Sequence, residues 1–163
     1  MKNVYLIGMM GAGKSCIGRI AAKKTHRRFV DTDAFIEKEA GMTVAEIFEQ
    51  EGEAGFRRRE TAALKKIGRN RGQIVACGGG VVERKENIGL LRKSGTVVWL
   101  KRDLEETLSH RRVRQRPLLK DDVNVIYTLM ERRAPLYRKA CHFTVVNKGD
   151  RMRTVRELLR RLG

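Results

Sequence analysis

Short apolar runs rich in β-branched residues alternate along this chain with longer stretches whose apolar positions recur every three to four residues. The first rhythm predicts buried strands and the second amphipathic helices, so their alternation predicts repeated βαβ units and an α/β fold with a parallel sheet. Strands are expected at about residues 2–8, 28–31, 73–77, 96–100 and 142–146, which makes the sheet five-stranded. Helical patterns begin near Lys14, Asp33, Thr43, Glu83, Asp103, Val123 and Arg151. At Thr43-Val44-Ala45-Glu46 the spacing is that of a capping box, in which hydroxyl and carboxylate each satisfy an open amide of the first turn. Phe29 and Trp99 sit in strand patterns and are expected to pack in the core. Connections are short and no Pro/Gly/Ser-rich linker interrupts them, so residues 1–163 read as a single domain. The irregular exception is the segment at about 111–122, where Arg111, Arg112, Arg114 and Arg116 precede Pro117. A polar, proline-interrupted connection of this kind between two helices suits a mobile lid.

Composition narrows the class. With 41% hydrophobic and 34% charged residues and only 2 prolines, the chain has the profile of a globular protein and not of a disordered one. No apolar run approaches the roughly 18 residues that a membrane span requires, and a cytoplasmic, soluble protein is expected. Cys16, Cys77 and Cys141 are odd in number and widely spaced, which fits neither a disulfide framework nor a zinc site and predicts reduced thiols. The formal net charge of +17 points to anionic partners. It is unevenly spread: 11 basic and 9 acidic residues in positions 1–60 leave +2, whereas 25 and 10 in positions 61–163 leave +15.

The sharpest chemical signal is Gly8-Met9-Met10-Gly11-Ala12-Gly13-Lys14-Ser15, a full G-x-x-x-x-G-K-[ST] match between a predicted strand and a predicted helix. Glycines let this backbone curl until its amides converge on phosphate oxygens, and the helix that follows adds the positive end of its dipole. Gly11, Ala12 and Gly13 therefore line the predicted nucleotide site, with Lys14 directed at the β/γ-phosphates and the Ser15 hydroxyl at Mg²⁺. ATP and Mg²⁺ are the expected co-substrate and cofactor.

Three further segments bear on the acceptor. Asp31-Thr32-Asp33 closes the second apolar run; in an extended strand end both carboxylates face one side, where one can hold a water of the Mg²⁺ shell and the other accept a proton. The alternative is that Asp33 merely caps a helix starting at Ala34. In Phe56-Arg57-Arg58-Arg59-Glu60, Arg57 and Glu60 share one helix face, either as part of a site or as a solvated basic surface. Gly78, Gly79 and Gly80 end the third strand, where parallel sheets bind ligands, so the triplet marks either close approach to a substrate or a tight loop.

Taken with Arg116-Pro117-Leu118-Leu119 and Arg132-Arg133-Ala134-Pro135-Leu136-Tyr137, these segments resemble the shikimate kinase family in order and spacing over nearly the whole chain. The resemblance implies a P-loop kinase fold: a five-stranded parallel sheet flanked by helices, a substrate-binding helical region at about 33–60 and a lid at about 111–122. It implies transfer of the γ-phosphoryl of ATP to the 3-hydroxyl of shikimate, on the route to chorismate and the aromatic amino acids, by a monomer. By the same similarity Asp33 is the base and contacts ring hydroxyls, while Arg57, Arg133 and the Gly78-Gly79-Gly80 backbone hold the substrate. Arg116 is the lid arginine that neutralises charge on the transferring group, a role worth roughly 10³-fold or more in phosphoryl transfer. Asp31 is a Mg²⁺ partner through water, Arg112 contacts adenine, and Glu60 orients Arg57. Cys16 departs from the pattern, standing where the family often has a hydroxyl; one hydrogen bond to the α-phosphate is lost, at about 1 kcal/mol.

Two rivals remain at this level. Another small P-loop kinase, acting on a nucleoside monophosphate or gluconate, shares the phosphate-binding signature. A basic nucleic-acid-binding protein would explain the charge, but aromatics are only 6% and no groove-reading or stacking motif is present, so no specific nucleic-acid partner is expected. Nor is a membrane partner. His26, His110 and His142 show no partner pattern and receive no catalytic role.

Overall fold

In the computed structural model, which describes residues 1–108 and 120–163, five parallel strands form one sheet in the order β2-β3-β1-β4-β5. They are β1 (Asn3–Ile7), β2 (Arg28–Asp31), β3 (Gln73–Ala76), β4 (Gly95–Lys101) and β5 (Phe143–Val146). The helices are α1 (Lys14–Lys24), α2 (Thr32–Ala40), α3 (Val44–Ile67), α4 (Lys85–Ser94), α5 (Lys120–Ala140) and α6 (Arg151–Leu162), with a 3₁₀ turn at Val81–Glu83 and helical backbone again at 104–108. Every predicted strand is present within two residues of its expected bounds. Residues 109–119, and with them most of the expected lid, including Arg112 and Arg116, lie outside the described residues.

The sheet is apolar on both faces, as parallel sheets covered by helices must be. Along β1 the alternation is complete: Val4 and Leu6 join a cluster with Ile17, Ala21, Val155 and Leu158 under α1 and α6, whereas Tyr5 and Ile7 join Leu64, Leu91 and Tyr137 under α3, α4 and α5. A one-residue slip would exchange the two sets, so the register Val4↔Ile74 and Val4↔Thr96 is fixed from both sides. Leu6 is fully buried, and its truncation to alanine belongs to the class of core changes costing about 2–5 kcal/mol. Trp99 packs its ring 5.5 Å from that of Tyr137, and Phe29 lies against the α1 side of the core, as expected of both.

A smaller cluster of Ile36, Ile47, Phe56 and Ala63 joins α2 to α3. The capping box at Thr43 is formed, with Glu46 N donating to Thr43 Oγ1 at 3.1 Å. Helix α3 breaks at Gly52, whose φ of 70° no side-chain-bearing residue adopts cheaply, so its second half can follow a separate axis toward the sheet edge. All three cysteines are free thiols: Cys77 is buried, Cys141 half-buried against the core and Cys16 exposed. No helix among the described residues is long and apolar enough to cross a membrane.

Candidate active site

The carboxyl ends of all five strands meet along one edge of the sheet, and the predicted chemistry is assembled there. The loop after β1 turns through Gly8, Gly11 and Gly13 at φ of 146°, 80° and 93°. At Gly8 the need is doubled, because a Cβ would stand 2.4 Å from the Leu100 carbonyl oxygen. Helix α1 then opens with no acidic residue in its first turn and no side-chain cap, leaving its amides free to face an anion. Lys14 is buried, and its Nζ donates to Gly8 O and Met9 O, each at 2.7 Å. Burial lowers its pKa to about 8, against the opposing pull of Asp33 and Asp31.

Asp31 and Asp33 divide their tasks differently from the strand-end expectation. Strand β2 stops at Asp31 and helix begins at Thr32, so the two carboxylates are not on alternate positions of one strand. Asp31 is itself the cap: its Oδ1 accepts from Asp33 N at 3.0 Å and Ala34 N at 3.2 Å, and its Oδ2 accepts from Ser15 Oγ at 2.8 Å. Asp33, in the first helical turn, is spared the capping role, and its Oδ1 is buried without a hydrogen-bond partner. Burial, reinforced by the neighbouring Asp31 charge, raises its pKa.

The glycine triplet after β3 explains itself in space and not in backbone angle. A Cβ on Gly78 would lie 2.9 Å from Asp33 Oδ1; one on Gly79, 3.2 Å from Arg133 Nη1; one on Gly80, 2.2 Å from Arg57 Nη2. Each glycine thus yields room to one of the three side chains predicted to meet the acceptor, and Asp33, Arg57 and Arg133 converge on one short loop. Arg57 is no solvated surface cation: its Nη1 donates to Glu60 Oε1 at 3.0 Å, with 12% of its side chain exposed and none of the Glu60 side chain. Desolvation pushes the Glu60 carboxyl up to about 7, with Arg57 pulling the other way. Arg133 Nε lies 3.5 Å from Glu83 Oε2, an ion-pair separation that lacks hydrogen-bond alignment. Arg132 reaches the same oxygen. Among the described residues, six buried side-chain atoms have no hydrogen-bond partner, and four of these belong to Asp33, Arg57, Glu60 and Arg133. Buried polar atoms are ordinarily paired, so this concentration marks a surface shaped for a polar ligand.

Three contributors received no role from the sequence. Tyr137 donates from its hydroxyl to Gly79 O at 2.5 Å and contacts Met9 Sδ at 3.6 Å, tying α5 to both loops. Asn147, buried just past β5, donates to Ala12 O at 2.8 Å and accepts from Thr154 Oγ1 at 3.0 Å, clasping the first loop from behind. Arg102, just past β4, donates to Gly11 O at 3.3 Å. A cavity of about 360 Å³ opens here between Gly11, Gly13, Cys16, Arg102, Asn147 and Arg151. The available signal was positional, since each of the two residues after β4 and β5 stands at the carboxyl end of a parallel strand. Cys16 Sγ accepts from Arg151 Nη1 at 3.4 Å, so the departure at this position has a partner from α6.

Family comparison agrees with this geometry. The family model described as shikimate kinase matches residues 10–163. A shikimate kinase of Sulfurihydrogenibium sp. is 40% identical over 163 residues, covering 99% of this chain and 98% of its own. Among solved structures, shikimate kinase from Acinetobacter baumannii in complex with shikimate superposes with a TM-score of 0.91 at 36% identity, covering 99% of this chain and 93% of that one. Shikimate kinase from Aquifex aeolicus gives 0.87 at 31%, covering 98% and 95%. A gluconokinase from Sinorhizobium meliloti, at 0.61 and 16% identity, shares the fold alone. With the match running over nearly the full length, and with the P-loop, the Asp33-Arg57-Arg133 cluster and the glycine triplet in place around one cleft, the chain belongs to the shikimate kinase family.

Proposed function

We propose that the chain, acting as one domain, transfers the γ-phosphoryl of ATP to the 3-hydroxyl of shikimate, with the residue roles that follow. The observation that carries this reading is the convergence of Asp33, Arg57 and Arg133 on Gly78-Gly79-Gly80, beside the loop that holds Lys14. Two guanidinium groups at one end suit a carboxylate, because a planar fork offers paired donors that an ammonium lacks. Asp33, with an open buried oxygen and a raised pKa, accepts the proton of the hydroxyl as its oxygen attacks the γ-phosphorus and ADP leaves. Lys14 leaves the Gly8 and Met9 carbonyls for the β/γ-phosphates, while the amides of Gly11 through Cys16 hold the triphosphate. The cavity between Arg102, Asn147 and Arg151 accommodates the nucleoside end. By the family resemblance, Arg112 contacts adenine and Arg116 neutralises charge on the transferring group.

The Ser15 hydroxyl and Asp31 carboxylate, 2.8 Å apart, are hard oxygen donors that fit Mg²⁺, and two such groups suffice for an ion that keeps waters and phosphate oxygens as its other ligands. Ser15 would hold the ion directly and Asp31 through water. When bound, Mg²⁺ neutralises phosphate charge and orients the terminal group for in-line displacement.

The test follows ADP release from ATP with shikimate, gluconate and AMP supplied separately. Turnover is expected with shikimate alone; a rate confined to gluconate or AMP overturns the assignment.

A further inference from the structure

The catalytic edge does not account for the charge. A second cavity, of about 420 Å³, opens at the other end of the sheet, where β1, β3 and β4 begin and α3 and α4 end. Its volume is within the range of small-molecule sites. Five cations surround it: Lys2, Lys65, Arg69, Arg71 and Lys93. Its wall is apolar where Leu64 and Leu90 contribute, and Ser94 adds a hydroxyl.

The ordinary explanation for such cations is compensation of helix C-terminal dipoles, and it covers Lys65 and Lys93, which lie in the last turns of α3 and α4. It extends to Arg69, which directly follows Gly68 at the end of α3, but it does not cover Lys2 or Arg71, which lie outside any helix. Nor are these charges neutralised internally. Lys65 pairs with Glu86 at 3.0 Å, but no carboxylate among the described residues pairs with Lys2, Arg69, Arg71 or Lys93, and none lines the cavity.

The loop that presents them is also fixed in place. Gly68 N donates to Leu64 O, Asn70 N to Ile67 O, and Gly72 N to Met1 O, while Asn3 Nδ2 donates to Asn70 O at 2.9 Å. On the opposite wall Ser94 Oγ is held by Leu90 O at 2.7 Å and by the Tyr5 hydroxyl at 2.8 Å. The five cationic side chains are exposed, and the fixed backbone anchors their stems around one hollow, so an anion seated there meets several positive groups at once. We propose that this cavity is a second binding site, distinct from the catalytic cleft, for a small organic polyanion carrying two or more phosphate or carboxylate groups.

The experiment titrates ¹⁵N-labelled protein, saturated with ADP, shikimate and a constant level of free Mg²⁺ to occupy the whole catalytic cleft, with tripolyphosphate in one series and citrate in another. Saturable amide shifts confined to Gly68 through Gly72 and Ser94 are expected in at least one series, and the effective anion identifies phosphate or carboxylate as the preferred group. Arg69→Glu with Arg71→Glu should raise the dissociation constant at least tenfold while leaving turnover unchanged, and Arg69→Gln with Arg71→Gln should raise it at least threefold. Arg156→Glu with Arg160→Glu, an equal charge change on the other face of the sheet, should shift it less than twofold. Non-saturating shifts in both series, or equal weakening by the control pair, would overturn the site and leave only diffuse attraction to a basic protein.

Discussion

Arg57, Glu60 and Arg133 carry consequences that depend on their burial. Glu60 has an ordinary carboxyl pKa of 4.5 in the unfolded chain and about 7 in the fold, so the native state binds the proton more tightly. Stability from this group is complete below about pH 4.5, declines as pH rises and levels off above about 7; Asp33, also raised, adds in the same direction. Thermal unfolding between pH 4.5 and 8 should therefore show a fall in Tm that is reduced in Glu60→Gln, since the amide keeps the shape without titrating. An equal fall in both proteins would mean that Glu60 is ionised throughout. Arg133→Lys keeps the charge and loses the fork. KM for shikimate should rise about tenfold or more, the scale of one charge-assisted hydrogen bond at roughly 1.5–3 kcal/mol, with KM for ATP little changed. An unaltered shikimate KM would remove Arg133 from the carboxylate clamp. Neither expectation follows from residue type alone, because an exposed Arg-Glu pair three residues apart is worth only a few tenths of a kcal/mol.

Elements act here by where they stop. Strand β2 ends at Asp31 because its carboxylate caps α2, which puts Asp33 on a helix and turns it toward Gly78. Strand β3 ends in three glycines because three side chains crowd that loop. Gly80→Ala tests this: its methyl would meet the Arg57 guanidinium, which must swing away, so shikimate binding should weaken at least fivefold while the fold and ATP binding persist. Unchanged shikimate kinetics would show that Arg57 is free to rearrange without consequence. The start of α1 is governed by the opposite economy, with an uncapped first turn left for the ligand and with Asn147 supporting the loop at Ala12 from the far side.

Over the whole molecule the positive charge has two consequences of different kind. Spread over an exterior with few aromatics, it gives attraction to polyanions without readout, so binding of random-sequence DNA should fall by orders of magnitude between about 50 and 200 mM salt and show no sequence preference. Sequence-selective binding that survives physiological salt would instead revive the nucleic-acid reading. Concentrated around a hollow, as at Lys2, Arg69 and Arg71, the same charge makes a site.

Periodicity alone was enough to place the five strands and the α/β class, because alternation and burial on both faces are local properties of the chain. The P-loop was equally legible, since its glycines, lysine and serine are contiguous and each answers a local backbone or ligand requirement. The acceptor site was legible only through a resemblance, as separate segments whose individual readings stayed open. Folding resolved them: Asp31 became the cap and Asp33 the open carboxylate, Arg57 left solvent for Glu60, and the triplet proved to be clearance for three side chains. The contacts of Tyr137 with Gly79 and of Asn147 with Ala12 had no local signature, because the partners lie 58 and 135 positions apart along the chain; the basic hollow likewise joins Lys65, Arg69 and Arg71 to the distant Lys2 and Lys93 only when the sheet orders its strands β2-β3-β1-β4-β5.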